Sequence, residues 1–219
     1  MAQFFVIDNF VDEIVVADLL RQIRASPTSD GAATATGIAR DIKANKQITN
    51  SDNKRLIDRV EEIISSSAEF RHLTMYRYLL PVIVNKYSVG MAYGSHSDAP
   101  FMDGIRVDTS FTLFLSDPDS YDGGELVIET ETGEQSFKLP SGTMLIYPNG
   151  NLHRVNPVTK GTRIAAIGWV QSQIRDPVKR EILHDIHQVR VEYLRQIGYD
   201  RGAELLSKVG FNLVRMWAD

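Results

Sequence analysis

The chain has 219 residues, of which 43% are hydrophobic and 24% charged, a composition that excludes a disordered tail or a fibre. It contains no cysteine, so disulfides, thiolate zinc sites, cysteine-ligated iron–sulfur clusters and a cysteine nucleophile are excluded. The formal net charge is −4, whereas proteins that bind nucleic acid are usually basic, so we expect no nucleic-acid partner.

The N-terminal segment, residues 1–10, has no basic stretch and therefore does not predict a signal peptide. The longest apolar run, residues 79–84, is interrupted by Pro81 and is far too short to cross a bilayer. We therefore expect no membrane association and a cytoplasmic location.

The first part of the chain, residues 8–70, is predicted to be helical with a loop over residues 26–37, where small polar residues predominate. Asp12 is the candidate N-cap of the first helix, and Ser51 or Asp52 is the expected start of the second. Apolar residues recur at helical spacing in both: Ile14, Val15, Leu19, Leu20 and Ile23 in the first, and Leu56, Val60, Ile63 and Ile64 in the second.

The middle of the chain, residues 74–171, alternates short β-branched and aromatic runs with turn signals. Predicted strands cover residues 107–115, 125–130, 134–139, 143–147, 152–155 and 162–171. Many strands with turns every few residues are typical of a sandwich or barrel of the jelly-roll type.

The last part of the chain returns to helical patterns. An amphipathic helix is predicted over residues 182–197, with Gly198 ending it, and a last helix over residues 203–217. We therefore expect a mainly β protein with flanking helices, divided into an N-terminal helical support region (1–73), a jelly-roll domain (74–174) and a C-terminal helical extension (175–219). This extension is a candidate surface for homo-oligomerisation.

The pattern His96-Ser97-Asp98 is the first candidate for chemistry. On an extended strand, residues two apart face the same side, so His96 and Asp98 would offer two metal ligands together. His153, in a later strand of the same predicted barrel, is the best-placed third ligand. Two histidines and one carboxylate that leave other positions open are the ligand set of non-haem iron(II) oxygenases, although a lone His-x-Asp is more often no metal site at all.

Arg163 strengthens the hypothesis of a metal site. If the turn at residues 156–161 joins a hairpin symmetric about Val158, residues 153 and 163 lie directly opposite each other. A guanidinium that faces the interior needs an anion, and its planar fork of donors matches a carboxylate. Strand alternation would also turn Ala165, Ile167 and Trp169 inward, although core packing explains Trp169 equally well.

Taken together, the motifs resemble those of the iron(II)- and 2-oxoglutarate-dependent dioxygenases in their prolyl-4-hydroxylase-like branch, and most closely the bacterial PKHD-type hydroxylases. The order is His-x-Asp, a distal histidine, and an arginine ten residues later. The resemblance covers nearly the whole chain and is carried by residues 87–98, 114–118, 121–126, 138–142, 147–148, 152–155, 157–163 and 169–172.

The resemblance implies a double-stranded β-helix fold in which His96, Asp98 and His153 bind iron(II). It implies that Arg163 binds the distal carboxylate of 2-oxoglutarate and that Tyr87 donates to the same co-substrate. The expected reaction hydroxylates a small-molecule or peptide substrate with dioxygen and releases succinate and carbon dioxide, with L-ascorbate as a candidate reductant. Ala99-Pro100 departs from the family pattern, which leaves the substrate preference open.

Several alternatives remain open. One is a non-catalytic jelly-roll sensor that binds a metal and an acid, and another is a structural protein that associates through its helices. His184 and His187 lie three apart on a predicted helix, a spacing more common on a solvated face than in a metal site. Residues 122–125 are more typical of a turn than of an acid–base pair. Lys43, Asn45, Lys46 and Gln47 form a polar segment that contacts substrate or, as we favour, is a solvated loop.

Overall fold

The structure is a computed structural model that describes residues 4–219. The first three residues of the predicted N-terminal region and of the segment tested for a signal peptide lie outside the described part. Six α-helices surround two antiparallel sheets in the described residues. The mainly β, jelly-roll architecture with flanking helices is the predicted one.

The strands are short except for the last one. Their bounds are β1 (Phe5–Ile7), β2 (Ser29–Asp30), β3 (Lys43–Ala44), β4 (Lys46–Ile48), β5 (Tyr76–Leu79), β6 (Ile83–Ser88), β7 (Ala92–His96), β8 (Phe101–Met102), β9 (Ile105–Arg106), β10 (Thr109–Phe114), β11 (Tyr121–Gly123), β12 (Leu126–Thr130), β13 (Gly133–Phe137), β14 (Met144–Pro148), β15 (His153–Val155) and β16 (Val158–Ser172).

Two sheets enclose the barrel interior. The major sheet runs β1-β14-β10-β16-β6-β4-β2, with β5 and β11 also paired to β16. The minor sheet runs β13-β12-β15-β7-β3, and β8 with β9 forms a separate hairpin just after the minor-sheet strand β7. Interior side chains from both sheets pack together, including Tyr87 and Phe114 from the major sheet and Ile128 and Val155 from the minor sheet.

The helices are α1 (Glu13–Ala25), α2 (Ile38–Asp41), α3 (Asn50–Ser66), α4 (Ala68–Thr74), α5 (Pro177–Gln196) and α6 (Arg201–Trp217). Asp12 caps α1 as predicted, because its carboxylate accepts from the backbone N–H of Ile14. The second predicted helix is α3, whose cap is Thr49: Thr49 accepts from Ser51, and the Asp52 carboxylate accepts from the Thr49 backbone N–H at 2.8 Å.

The hydrophobic core lies between the helices and the outer face of the major sheet. Strand β10 is buried on both faces, so its alternate residues pack on opposite sides of the major sheet. Phe111 and Leu113 pack against helix residues such as Leu19 and Ile57, whereas Phe114 faces the barrel interior. The support region therefore buries one side of the sheet and leaves the other side for the site.

The region before residue 74 is not only helical, because it also contributes strands to both sheets. Strand β3 pairs with β7 of the minor sheet, and β4 pairs with β6 of the major sheet. The interpretation of residues 43–47 as a solvated loop is wrong for Lys43, Asn45 and Gln47, which are buried; Lys46 is exposed. Local composition does not show that two short strands join different sheets.

The C-terminal helices α5 and α6 pack against each other, and α5 also contacts α4. Gly198 follows the C-cap of α5 with a φ of 94°, a conformation that glycine adopts without strain. Among residues 4–219, no helix combines the length and the apolar character that a bilayer span requires.

Candidate metal centre and its cavity

Three side chains meet at one end of the barrel interior. His96 ends β7 and is directly paired with His153, the first residue of β15. The centroids of the two imidazole rings are 4.3 Å apart. Asp98, two residues beyond His96, places its Oδ1 4.0 Å from His96 Nε2 and 3.8 Å from His153 Nε2. Each of the three thus offers one ligand atom within 4.8 Å of the others.

Backbone carbonyls fix the orientation of both histidines. His96 Nδ1 lies 2.9 Å from Gly94 O, and His153 Nδ1 lies 2.9 Å from Asn151 O. A carbonyl only accepts, so each Nδ1 carries the proton and each Nε2 presents its lone pair. Burial, followed by the neighbouring His153, lowers the pKa of His96 to about 4, so this ring is neutral at pH 7.

The carboxylate of Asp98 is held from its other oxygen. Ser110 Oγ donates to Asp98 Oδ2 at 2.7 Å, and Trp169 Nε1 donates to the same atom at 2.8 Å. Oδ1 is left to face the histidines. No sequence pattern singles out Ser110, and the sequence predicts Trp169 only in the wall of the site or in the core. Strand alternation indicated that Trp169 points inward, but its bond to Asp98 depends on the fold.

Tyr93 supports the His96 ring from one side. The two rings are stacked, with centroids 3.7 Å apart and an interplanar angle of 21°. Tyr93 lies three residues before His96 on β7, where the register shift against β15 lets the two side chains overlap. The ring of His96 is therefore fixed by both a hydrogen bond and an aromatic face.

Arg163 lies in the barrel interior and is only 2% exposed. Its guanidinium carbon is 5.5 Å from the ring centroids of both Tyr87 and Phe114. Its Nε, in the described residues, has no hydrogen-bond partner. A buried guanidinium without a carboxylate partner is costly, so an anion bound beside Arg163 would stabilise it.

Two neighbours shape the surroundings of Arg163. Tyr87 is its direct partner across β6 and β16, and burial raises the pKa of Tyr87 to about 12, so its hydroxyl remains a donor. Gly124 has a φ of 68°, and a Cβ there would lie 3.2 Å from Arg163 Cδ. A larger residue at position 124 would therefore crowd the arginine as well as strain the backbone.

The predicted direct opposition of residues 153 and 163 is wrong. His153 pairs with His96 in the minor sheet, whereas Arg163 pairs with Tyr87 in the major sheet. The chain leaves one sheet after Val155 and enters the other at Val158, so the two strands are not a hairpin. His153 and Arg163 still line one cavity, because the two sheets face each other across it.

This cavity has a volume of about 820 Å³. Arg163, Ile167 and Trp169 line it, as strand alternation predicts. Ala165, which was expected to line it as well, is buried and does not. Ala99 and Pro100, the residues that depart from the family pattern, also border it. The cavity therefore extends from the buried arginine, past the three candidate ligands, to the region of the β8–β9 hairpin.

His184 and His187 lie on α5 and do not line this cavity. They pack instead against His72 of α4, with ring centroids 5.5 Å (His184) and 3.7 Å (His187) from that of His72. Burial, then His187 and His184, lower the pKa of His72 to about 4. These three do not bring one ligand atom each within 4.8 Å of one another.

Asp122 belongs to the short strand β11, which pairs with β16. Glu125 accepts a hydrogen bond from Asn156 Nδ2 at 3.1 Å, which joins the segment to the crossing between the sheets. The segment therefore has the structural role that was expected, but Asp122 and Gly123 form part of a strand and not of the predicted turn.

The sequence matches the model of the 2OG-Fe(II) oxygenase superfamily over residues 82–171. It is 41% identical to a PKHD-type hydroxylase of Picosynechococcus, over 95% of this chain and 98% of that protein. It is 42% identical to a PKHD-type hydroxylase of Maricaulis maris, over 87% of each chain.

Solved structures share the fold at low sequence identity. A Pseudomonas putida prolyl-4-hydroxylase superimposes with a TM-score of 0.54 at 18% identity, covering 78% of this chain and 94% of that one. HygX from Streptomyces hygroscopicus, solved with nickel and 2-oxoglutarate bound, has a TM-score of 0.57 at 13% identity, covering 79% and 84%. At such identities the likeness concerns the fold alone.

Proposed function

The chain belongs to the PKHD-type hydroxylases of the 2OG-Fe(II) oxygenase superfamily, and on that premise we propose that it hydroxylates a C–H bond of a primary substrate. In the balanced reaction, one dioxygen molecule supplies one oxygen atom to the substrate and the other to 2-oxoglutarate, which becomes succinate and carbon dioxide. The family implies Fe(II) and 2-oxoglutarate, and thus a dioxygenase. The hydroxylated product and the roles of individual residues in the reaction are what we propose.

The single observation that supports this proposal is the joint orientation of three side chains. His96 and His153 present Nε2 towards Oδ1 of Asp98. The other polar atom of each side chain, Nδ1 of the histidines and Oδ2 of Asp98, is already hydrogen-bonded within the protein. Nitrogen and carboxylate oxygen ligands on one face fit iron(II) and leave positions open for other ligands. We assign iron(II) to these three residues.

Arg163 is the proposed anchor of the distal carboxylate of 2-oxoglutarate. Its buried guanidinium lacks an anion, and a bidentate carboxylate would supply one. Tyr87, opposite Arg163 and protonated at pH 7, is the proposed second donor to the co-substrate. The bound iron would activate dioxygen; the chain binds, orients and excludes water.

The experiment that tests the proposal is aerobic incubation with iron(II) and 2-oxoglutarate, with succinate measured while a panel of metabolites and peptides is added. Succinate formation that requires iron(II) is expected. Anaerobic titration followed by exposure to dioxygen distinguishes the sensor alternative. Binding of 2-oxoglutarate to iron(II) gives a visible charge-transfer band in both cases, but only the enzyme then consumes dioxygen. Binding without consumption would reject the catalytic proposal.

Four finer expectations remain predictions. L-Ascorbate is proposed as a reductant that sustains repeated turnover, tested by succinate yield with and without it. Homo-oligomerisation through the C-terminal helices, where α6 exposes Leu205, Val209 and Phe211, is tested by sedimentation. The boundaries 1–73, 74–174 and 175–219 and the cytoplasmic location are likewise untested.

A further inference from the structure

Lys43 is a buried cation that the proposed reaction does not use. Its side chain is 9% exposed, although lysine is rarely that deeply buried without a partner of opposite charge. Its Nζ donates to the neutral hydroxyl of Thr34 at 3.0 Å. No carboxylate among residues 4–219 forms an ion pair with it within 4.0 Å. Its charge is therefore not offset by a carboxylate in direct contact.

Lys43 lies in the wall of the same cavity as the candidate metal ligands. Its Nζ is 5.2 Å from the centroid of the Tyr93 ring, and that ring is stacked on His96. The ammonium and the imidazole of His96, a candidate iron ligand, therefore both lie beside the ring of Tyr93. A group bound at Lys43 would lie beside the place where the reaction occurs.

Asp98 and Asp30, the two carboxylates whose charges raise the pKa of Lys43, already accept hydrogen bonds from other groups. Asp98 accepts from Ser110 and Trp169, and Asp30 accepts from the backbone N–H of Ala32 at 3.1 Å. Burial lowers the pKa of Lys43 to about 8, which still leaves it mostly protonated at pH 7. Two N–H donors of the ammonium remain after the bond to Thr34.

We propose that Lys43 binds an anionic group of the primary substrate, a carboxylate or a phosphate, and so selects acidic substrates. This inference rests on the proposed function, because it names the substrate class of that site. The cavity then holds two cations with two tasks: Arg163, buried between Tyr87 and Phe114, takes the co-substrate, and Lys43 takes the substrate.

The competing explanation is that Lys43 only supports Tyr93 through a cation–π contact. Methionine at position 43 would keep the apolar length of the side chain and its contact with the ring while removing the charge. A supporting role would therefore leave the preference for acids unchanged in Lys43→Met. A binding role predicts that this preference disappears and that Lys43→Arg restores most of it.

The test uses the full chain loaded with redox-inert zinc(II) and saturated with 2-oxoglutarate, so that the metal and Arg163 are already engaged. The probes are N-acetyl amino acids against their amides, and O-phosphoserine against serine, with affinities from ligand-observed NMR. In the unsubstituted protein, at least one anion is expected to bind about tenfold more tightly than its neutral twin, as for one hydrogen bond to a charged group. The carboxylate pairs and the phosphate pair show which of the two anionic groups Lys43 binds.

The matched control is Lys46→Met, because Lys46 is three residues away and exposed. It should keep the preference, whereas Lys43→Met should reduce it to less than about twofold. The proposal is overturned if no anion is preferred, or if Lys43→Met retains the preference. Iron-dependent succinate formation is measured separately on the unsubstituted protein: its absence would reject the proposed function, while the binding comparison would still be readable.

Discussion

Two clusters of histidine in this protein are similar in composition but different in chemistry. One consists of His96 and His153 with Asp98, and the other of His72, His184 and His187. Burial is the largest cause that lowers the pKa of a histidine to about 4 in each, His96 in the first and His72 in the second. The depressed pKa alone therefore does not distinguish a metal site.

The orientation of the ring nitrogens and the neighbouring charge make the difference. In the first cluster, carbonyls engage both Nδ1 atoms and the Nε2 atoms converge on a carboxylate. In the second, the other nearby charge that acts on His72 is the cation Arg190, and His72 Nε2 and His184 Nδ1 are buried without partners in the described residues. Lone pairs that converge on an anion favour a metal site, whereas tilted rings packed near a cation favour a structural role.

The largest expected effect comes from removing the carboxylate that only the first cluster has. Asp98→Ala should abolish succinate formation and reduce iron(II) affinity by more than the roughly 10–100-fold that follows loss of a group supporting a ligand. The fold should persist, which circular dichroism would check. His187→Gln, in the other cluster, should leave iron binding unchanged. Equal loss in both variants would break the comparison.

The next effect concerns the anion that the first site recruits. Arg163→Lys keeps the charge but loses the planar fork of donors, so the KM for 2-oxoglutarate should rise by an amount worth about 1–3 kcal/mol. Steady-state succinate kinetics would measure it. Arg154→Lys is the control, because Arg154 forms a partly exposed ion pair with Glu134. An unchanged KM in Arg163→Lys would remove the assigned role.

A smaller effect is expected where Asp98 is held in place. Trp169→Phe removes one of the two donors to Asp98 Oδ2, and Ser110 retains the other. Iron(II) affinity should therefore fall by about tenfold, the lower end of the range for such supporting groups. Calorimetric titration and a shift of the 2-oxoglutarate charge-transfer band would show it. If Trp169→Phe matches the parent in both, the indole only fills space.

The smallest effect tests the second cluster through pH. The pKa of His72 in the fold, about 4, lies below its ordinary value of 6.5, so the unfolded chain takes up a proton first as the pH falls. The free energy of unfolding should therefore decrease between pH 6.5 and about 4. Between pH 7.5 and 5, the free energy of unfolding of His72→Gln should decrease by about 1 kcal/mol less than that of the parent. The difference is this small because His72 is partly exposed to solvent. Urea unfolding at both pH values measures this, and identical losses would contradict it.

Local pattern predicted much of the fold and the identity of the candidate ligands. Alternation along a strand predicted that His96 and Asp98 share one side and that Arg163 and Trp169 turn inward. The strand ends at His96, and Asp98 lies two residues beyond its end. What failed depended on pairing between distant segments. The predicted hairpin around Val158 is wrong because the chain crosses from one sheet to the other at this point. No residue pattern within the segment shows that crossing.

Long-range register also explains the residues that were missed. Ser110 and Trp169 donate to the same oxygen of Asp98 because β10 and β16 pair these two residues directly. Lys43 is buried because β3 joins the minor sheet, although its polar neighbours are typical of a loop. His72 meets His187 because α5 returns to α4 from the far end of the chain. None of these contacts follows from spacing within a segment.

The short strands at residues 43–48 have a consequence for protein engineering. Strand β3 covers the outer edge of β7, and β4 covers the outer edge of β6. A fragment trimmed to the segment that matches the superfamily model would bare both edges at once, and uncovered edges recruit other chains. The minimal expressible unit must therefore begin upstream of Lys43, and shorter versions should precipitate rather than fold.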